Sequence, residues 1–281
     1  MLYCTVIRYI QRQRKNYRYD NLKLMKNLLD HTAKLVFRFT YGKNPKGEGP
    51  RIRKQFSYHS PEDYYQAAII TILKKNDTWL DIGCGRDIFP DNHRLAKVLT
   101  ARTKETVGVD PSSNVLDNQF IHRSYQGFTD SVKEENYYNL VTLRMVAEHV
   151  ADPDELVSQI DRVSTNDAHV IVYTIYRWSP IPIITKLTPF WTHHIFKRIF
   201  WNTEERDTFP VEYKMNTKSQ LSEIFSRKGF TNIDFMYLDD CRTLAGAKLG
   251  LYSELLLRKF LNFFNLHYPE LCILAIYRKN K

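Results

Sequence analysis

The chain has 281 residues, of which 43% are hydrophobic, a size and apolar share that suit one large α/β domain with additions or a domain plus a small one. No apolar run approaches the ~20 residues needed to cross a bilayer. Leu2–Ile7 is too short for a secretory core. The four cysteines lie far apart, which argues against a disulfide framework or a zinc site and for a reducing, cytoplasmic setting. The net charge of +10 is uneven: residues 1–55 hold 14 Lys/Arg against 3 Asp/Glu, and the remainder 27 against 28. The basicity therefore belongs to an N-terminal segment and not to a core groove for nucleic acid.

Residues 21–38 carry Leu22, Met25, Leu28, Leu29, Leu35 and Val36 at helical spacing, with Lys23, Lys26, Lys34 and Arg38 mostly between them. Two readings stand: a helix docked on the main domain, or a basic amphipathic helix on an anionic membrane surface. The Gly, Pro and Lys of residues 42–50 read as a linker, which divides a basic segment over 1–55 from a domain over 56–281. Ser60-Pro61-Glu62-Asp63 opens a helix reaching Leu73, with a serine cap and acids in its first turn.

From Thr78 the pattern alternates. Strands are expected at Thr78–Ile82, Thr106–Asp110, Phe120–His122 (weakly), Tyr138–Leu143 and His169–Ile175. Helices are expected at His93–Ala101, after Pro111-Ser112-Ser113, and from Pro153, capped by Asp152, to Val163. Such alternation predicts a parallel sheet with helices on both faces and ligands at the carboxyl ends of the strands. Residues 176–216 break the pattern with Trp178, Phe190, Trp191, Phe196, Phe200 and Trp201. A helix at Lys218–Lys228, a strand at Asn232–Leu238, an apolar helical stretch over 244–265 and a last strand at Leu271–Tyr277 complete the chain.

The chemistry is concentrated at Asp81-Ile82-Gly83-Cys84-Gly85. Glycines after a strand let a ligand approach the backbone, and the helix that follows offers N–H groups to a carboxylate or phosphate. Asp110 ends the second strand 25 residues after Gly85, near the spacing of an acid that accepts both hydroxyls of a ribose. A dinucleotide site would place a third glycine at position 88, which is Ile88, and no phosphate-binding P-loop is present. Asp81 suits the ammonium of an amino acid. The combination favours S-adenosylmethionine over NAD.

Residues 78–175 resemble a class I S-adenosylmethionine-dependent methyltransferase of the ubiquinone-biosynthesis type. The matching pieces are Leu80–Gly85, Val107–Ser112 and Tyr138–Val150 with Asp152-Pro153. The resemblance implies a Rossmann-like, seven-stranded, mostly parallel sheet closed by an antiparallel hairpin, with helical cap insertions over 176–216 and 239–270. It implies that Asp81, Gly83, Cys84 and Gly85 contact the methionine part of the cofactor. Asp110, with Pro111 after it, would contact the ribose, Phe128 and Thr129 the adenine, and Arg144 and Met145 the sulfonium and substrate. Three departures stand out, the first being Thr129 where the family usually has an acid in the adenine loop. Asp87 replaces a common third glycine, either crowding the loop or closing it through Arg86. Thr165–Ala168 replaces the usual Pro-Gly-Gly turn before the fifth strand.

Methyl transfer is an in-line displacement that needs positioning and no metal. His149, just after the fourth strand, is the candidate base for a hydroxyl or ammonium acceptor, the alternative being that Glu148 and His149 orient the next helix. His193, His194 and Tyr213 are candidate substrate contacts. The aromatics of 176–216 and the apolar stretch over 244–265 are read either as buried cap helices or as a greasy acceptor tunnel or membrane-facing lid. They favour a small hydrophobic, aromatic or lipid-like acceptor. An RNA methyltransferase and a non-catalytic scaffold of the same fold are the competing readings.

Overall fold

The computed structural model describes residues 22–180, 182–183, 210–246 and 249–280. Three helices precede the sheet: α1 (Leu22–Tyr41), α2 (Glu48–Gln55) and α3 (Pro61–Ile72). The alternating region follows as β1 (Thr78–Ile82), α4 (His93–Thr100), β2 (Glu105–Asp110), β3 (Arg123–Gln126), β4 (Tyr138–Arg144), α5 (Pro153–Val163) and β5 (Ser164–Ile175). The chain closes with α6 (Lys218–Arg227), β6 (Phe230–Asp239), α7 (Gly250–Phe263) and β7 (Glu270–Lys279). The seven strands form one sheet in the order β3-β2-β1-β4-β5-β7-β6. The pairs β5–β7 and β6–β7 are antiparallel and the others parallel, giving the closed hairpin of the expected fold. Strand order reverses between β1 and β4. A ligand crevice therefore opens at their carboxyl ends, where connections diverge to opposite sides.

Alternation along each strand divides the core into two layers. Trp79, Leu140, Ile171, Tyr173 and Ile276 face α1, α3 and α4. Leu80, Val141, Val170, Val172 and Ala275 face α5 and α6. Local signals set the element ends: Asn92 caps α4, and the Asp152 carboxylate caps α5 at the Glu155 N–H with Pro153 in the first turn.

Three expectations are corrected here. First, Met25, Leu28, Leu29, Ala33, Val36 and Phe37 of α1 are buried, packed with α3 and β6. The apolar face that would let residues 21–38 lie on a membrane is used inside the protein, and only the docked reading survives. Second, β3 covers Arg123–Gln126 and not Phe120–His122. Phe120 is a core residue, while the edge strand presents polar side chains, Arg123 among them, bonded to Glu105 and Glu134. Third, Thr165–Ala168 is not a separate turn. It lies within β5 as a register irregularity, with Asp167 in a left-handed conformation (φ 63°) and bonded to Arg278 at 2.7 Å.

Candidate active site

The chain leaves β1 through two glycines. Gly83 has φ 69°, and a side chain there would meet Val146 Cγ2 at 2.2 Å, so backbone conformation and space both demand glycine. Gly85 has φ 50°, yet a Cβ on it would meet nothing within 4 Å, leaving open space beside the loop. The loop is clamped from β2: the Gly83 N–H donates to the Val109 carbonyl (2.7 Å) and the Gly85 N–H to Asp110 Oδ2 (2.9 Å). Asn118 Nδ2 donates to the Gly85 carbonyl (3.1 Å), and Asp110 Oδ1 accepts from the Ser112 N–H (2.8 Å), fixing the turn through Pro111. Each Asp110 oxygen keeps a second lone pair for another donor. Gly83→Ala should lower stability by about 1–3 kcal/mol in urea melts, whereas Gly85→Ala, with strain but no clash, should cost less. Equal losses would contradict the geometry.

Asp81 lies 2% exposed at the end of β1. Its carboxylate accepts a hydrogen bond from the Thr142 hydroxyl on β4, which itself accepts from Trp79 Nε1 at 2.7 Å. Burial pushes the Asp81 carboxyl up to about 7, opposed by the Thr142 bond and by Arg144. A cation seated against it would favour the ionised form, so the residues present fit an amino-acid ammonium. Cys84 differs from its neighbours: its buried thiol turns toward β2, to the spot a side chain on Gly108 would occupy, leaving only its backbone toward the crevice.

At the end of β4, Arg144 Nη1 lies 3.6 Å from Glu62 Oε1 of α3. Burial raises the Glu62 carboxyl, with Arg144 opposing. Glu62 thereby offsets the guanidinium's charge at the carboxyl end of β4. Met145 follows with φ 53°, its N–H on the Tyr173 carbonyl at 2.8 Å. Glu148 is buried and accepts from the Thr174 hydroxyl (2.7 Å), and burial raises its carboxyl. His149 Nδ1 sits 2.9 Å from the Pro210 carbonyl. A carbonyl only accepts, so Nδ1 carries the proton and Nε2 is the basic ring nitrogen.

These bonds also locate the root of the 176–216 insertion. The N–H groups of Glu212 and Tyr213 donate to the Glu148 carbonyl, and Asn216 Nδ2 bonds both Thr174 Oγ1 and the Ile175 carbonyl. The insertion thus leaves and rejoins the fold at the end of β5, with Tyr213 (φ 53°) beside Glu148. His193 and His194 lie outside the described residues. A cleft of about 720 Å³ at this root is lined by Tyr176, Arg177, Trp178, Thr217, Lys218 and Tyr237 among others; Asp81, Asp110 and Arg144 are not among its walls.

One loop expectation changes. Arg86 does not meet Asp87: Arg86 faces Asp117 (3.5 Å) and Asp87 faces His93 (3.1 Å), so Asp87 is tied to the start of α4. Helix α4 begins at His93 as expected, but Asn92 Oδ1 accepts from the Leu95 N–H, so that N–H is not offered to a ligand. On the adenine side, Phe128 is 70% exposed next to Gly127, whose N–H donates to the Asp110 carbonyl, while Thr129 is buried. Sequence reasoning passed over Glu62, Asn118 and Thr142. Glu62 carried a signal, an acid in the first turn of α3, but a helix-capping role accounted for it.

Comparison with known proteins bears on this geometry. A family model described as a methyltransferase domain matches residues 57–234. No curated protein matches the sequence. Solved structures similar to this chain include the YcgJ protein of Bacillus subtilis, 18% identical over 77% of this chain and 98% of that one, with a TM-score of 0.47. An S-adenosylmethionine-dependent methyltransferase of Archaeoglobus fulgidus is 16% identical over 82% and 98%, with a TM-score of 0.48. A chain from the complex of the Haloferax volcanii Trm112 methyltransferase activator is 12% identical over 90% and 98%, with a TM-score of 0.50. At these identities the likeness is one of fold.

Proposed function

This chain belongs to the methyltransferase-domain family and is an S-adenosylmethionine-dependent enzyme, and we propose that it carries the methyl group by in-line displacement to a small hydrophobic or aromatic acceptor. What supports the acceptor class is the aromatic share, Tyr176, Trp178 and Tyr237, of an otherwise polar cleft at the root of the 176–216 insertion, next to the assigned donor site and not within it. The donor supplies a methyl carbon activated by its sulfonium. Asp81 holds the ammonium, the Gly83, Cys84 and Gly85 backbone the carboxylate, and Asp110, stiffened by the Pro111 turn, both ribose hydroxyls. Phe128 offers its exposed face to the adenine, with Thr129 beneath it. Arg144, neutralised by Glu62, and Met145 flank the reacting centre. The bond to sulfur breaks as the bond to the acceptor forms, and S-adenosylhomocysteine leaves. Where the acceptor is a hydroxyl or ammonium, His149 Nε2 takes its proton. Tyr213, beside Glu148, contacts the acceptor.

Transfer from donor labelled in the methyl group, offered with separate polar, organic-soluble and RNA fractions, tests this reading. Label is expected in the organic fraction; label confined to polar metabolites or to RNA would replace the acceptor class. A second test uses pH. Asp81 titrates at about 7 without the ammonium, and an ammonium lowers that value, so binding releases a proton. Affinity for S-adenosylmethionine should therefore fall as pH drops below about 7, by up to about tenfold per unit. Calorimetry should give this slope in the wild type and lose it in Asp81→Asn; an unchanged slope in the variant would remove Asp81 from the ammonium site.

A further inference from the structure

Among the described residues, helix α7 packs into the protein through one narrow face. Leu251 and Leu255 are buried with Tyr58 and Cys241. Glu254, 4% exposed, accepts from the Thr243 hydroxyl, the Leu244 N–H (3.0 Å) and the Tyr268 hydroxyl (3.0 Å), and Arg258 pairs with Asp239. The opposite side is apolar and open: Leu256, Leu257, Phe260, Phe263, Phe264 and Leu266 are 49–81% exposed. Positions 256, 260, 263 and 264 follow helical spacing, so these side chains form one stripe and not scattered single exposures.

Charge and position indicate what covers the stripe. The one carboxylate of α7 is Glu254, which is buried; the exposed charge on the helix is Lys259. The basic excess of residues 1–55 has the same sign. A second copy would bring like charge to like across a symmetric contact, whereas an anionic lipid surface complements it. Leucines and phenylalanines beside lysine are also the composition of a helix seated at a bilayer interface. Helix α7 leaves the carboxyl end of β6 and returns at the start of β7, where Cys272 Sγ lies 3.8 Å from the Tyr173 hydroxyl of β5. Helix α7 therefore connects at the end of the sheet where β5 and β6 finish, the end at which the parallel strands β1 and β4 also finish.

We infer that α7 is a docking face that seats its Leu/Phe stripe in the interface of an anionic lipid bilayer, so that the acceptor is an amphiphile taken from that bilayer. The source of the acceptor rests on the hydrophobic-acceptor reading; the docking is measured without turnover. The experiment is co-sedimentation of the full chain with phosphatidylcholine vesicles, with and without phosphatidylserine. Wild type is expected to pellet with the phosphatidylserine vesicles, and Leu256→Gln/Phe260→Gln/Phe263→Gln to lose at least about tenfold in partitioning while keeping its S-adenosylmethionine affinity. Phe263→Gln/Phe264→Gln, at the helix end, should lose binding in the same direction and serves if the triple variant folds poorly. No pelleting of wild type, equal pelleting of the folded variants, or a stripe-dependent dimer in light scattering without vesicle binding would each overturn the docking. Label found only in polar acceptors, with docking intact, would instead overturn the acceptor class.

Discussion

Asp110→Ala is expected to weaken S-adenosylmethionine binding by at least about a hundredfold. The carboxylate acts twice. Inward, its two oxygens accept the Gly85 and Ser112 N–H groups at 2.9 and 2.8 Å and so hold the glycine loop and the β2 turn in register. Outward, its remaining lone pairs are the acceptors assigned to the ribose. Hydrogen bonds to a charged group are worth about 1.5–3 kcal/mol each, so loss of two such bonds to the ligand alone spans roughly two to four orders of magnitude in affinity. Alanine also leaves two N–H groups at the site without their acceptor, which should cost about 1–3 kcal/mol of stability per orphaned group if water does not replace it. Asp110→Asn, which keeps one carbonyl acceptor, should fall between. Calorimetry reads the affinity and urea melts the stability. An alanine variant that melts early yet binds like wild type would confine Asp110 to a structural role and remove it from the ribose site.

How much of this was legible beforehand varies with the physics that decides each element. Strand β1 runs from Thr78 to Ile82 as expected because all five residues are buried and the glycine ends the ladder. The start of α5 at Pro153 is encoded in two adjacent residues, Asp152 and Pro153. Where tertiary partners decide, the local pattern misleads. The apolar pair Phe120-Ile121 reads as a strand but packs as core and part-buried loop, while the polar strand beside it exists through its ladder to β2. Arg86 and Asp87 are neighbours in sequence, and each finds its partner elsewhere because the loop brings Asp117 and His93 within reach. Charge separated residues 1–55 from the rest, whereas the burial of α1 depends on the other face of the same helix. The Asp81–Asp110 part of the site was readable because glycine geometry is local. Glu62 was not, since its meeting with Arg144 is created only when α3 folds over the end of β4.

The same folding-over predicts the largest stability loss in the molecule's N-terminal half, at Arg53. Its guanidinium is buried between α1, α2 and α3: it pairs with Asp63, bonds Ser60 Oγ at 3.2 Å, and lies 4.9, 5.5 and 5.8 Å from the ring centres of Phe37, Tyr41 and Tyr58. Asp63 in turn accepts from the Ser60 N–H (2.7 Å), closing the cap of α3. Arg53→Met preserves much of the stem's packing but leaves the Asp63 carboxylate buried without its cation. Removing one partner of a buried pair costs about 3–5 kcal/mol, most of it the penalty of the abandoned charge. Arg53→Met/Asp63→Asn removes that charge while keeping a side chain that can accept from Ser60, so it should recover most of the loss. Urea melts of the two variants separate the causes. Recovery in the double variant identifies the stranded carboxylate. A double variant as unstable as the single one would instead assign the loss to Arg53 as the cation packed over three rings. In either case Glu62, one residue before Asp63, sits on the same first turn, so the variant with the looser α3 should also hold Arg144 less firmly and bind the methyl donor more weakly.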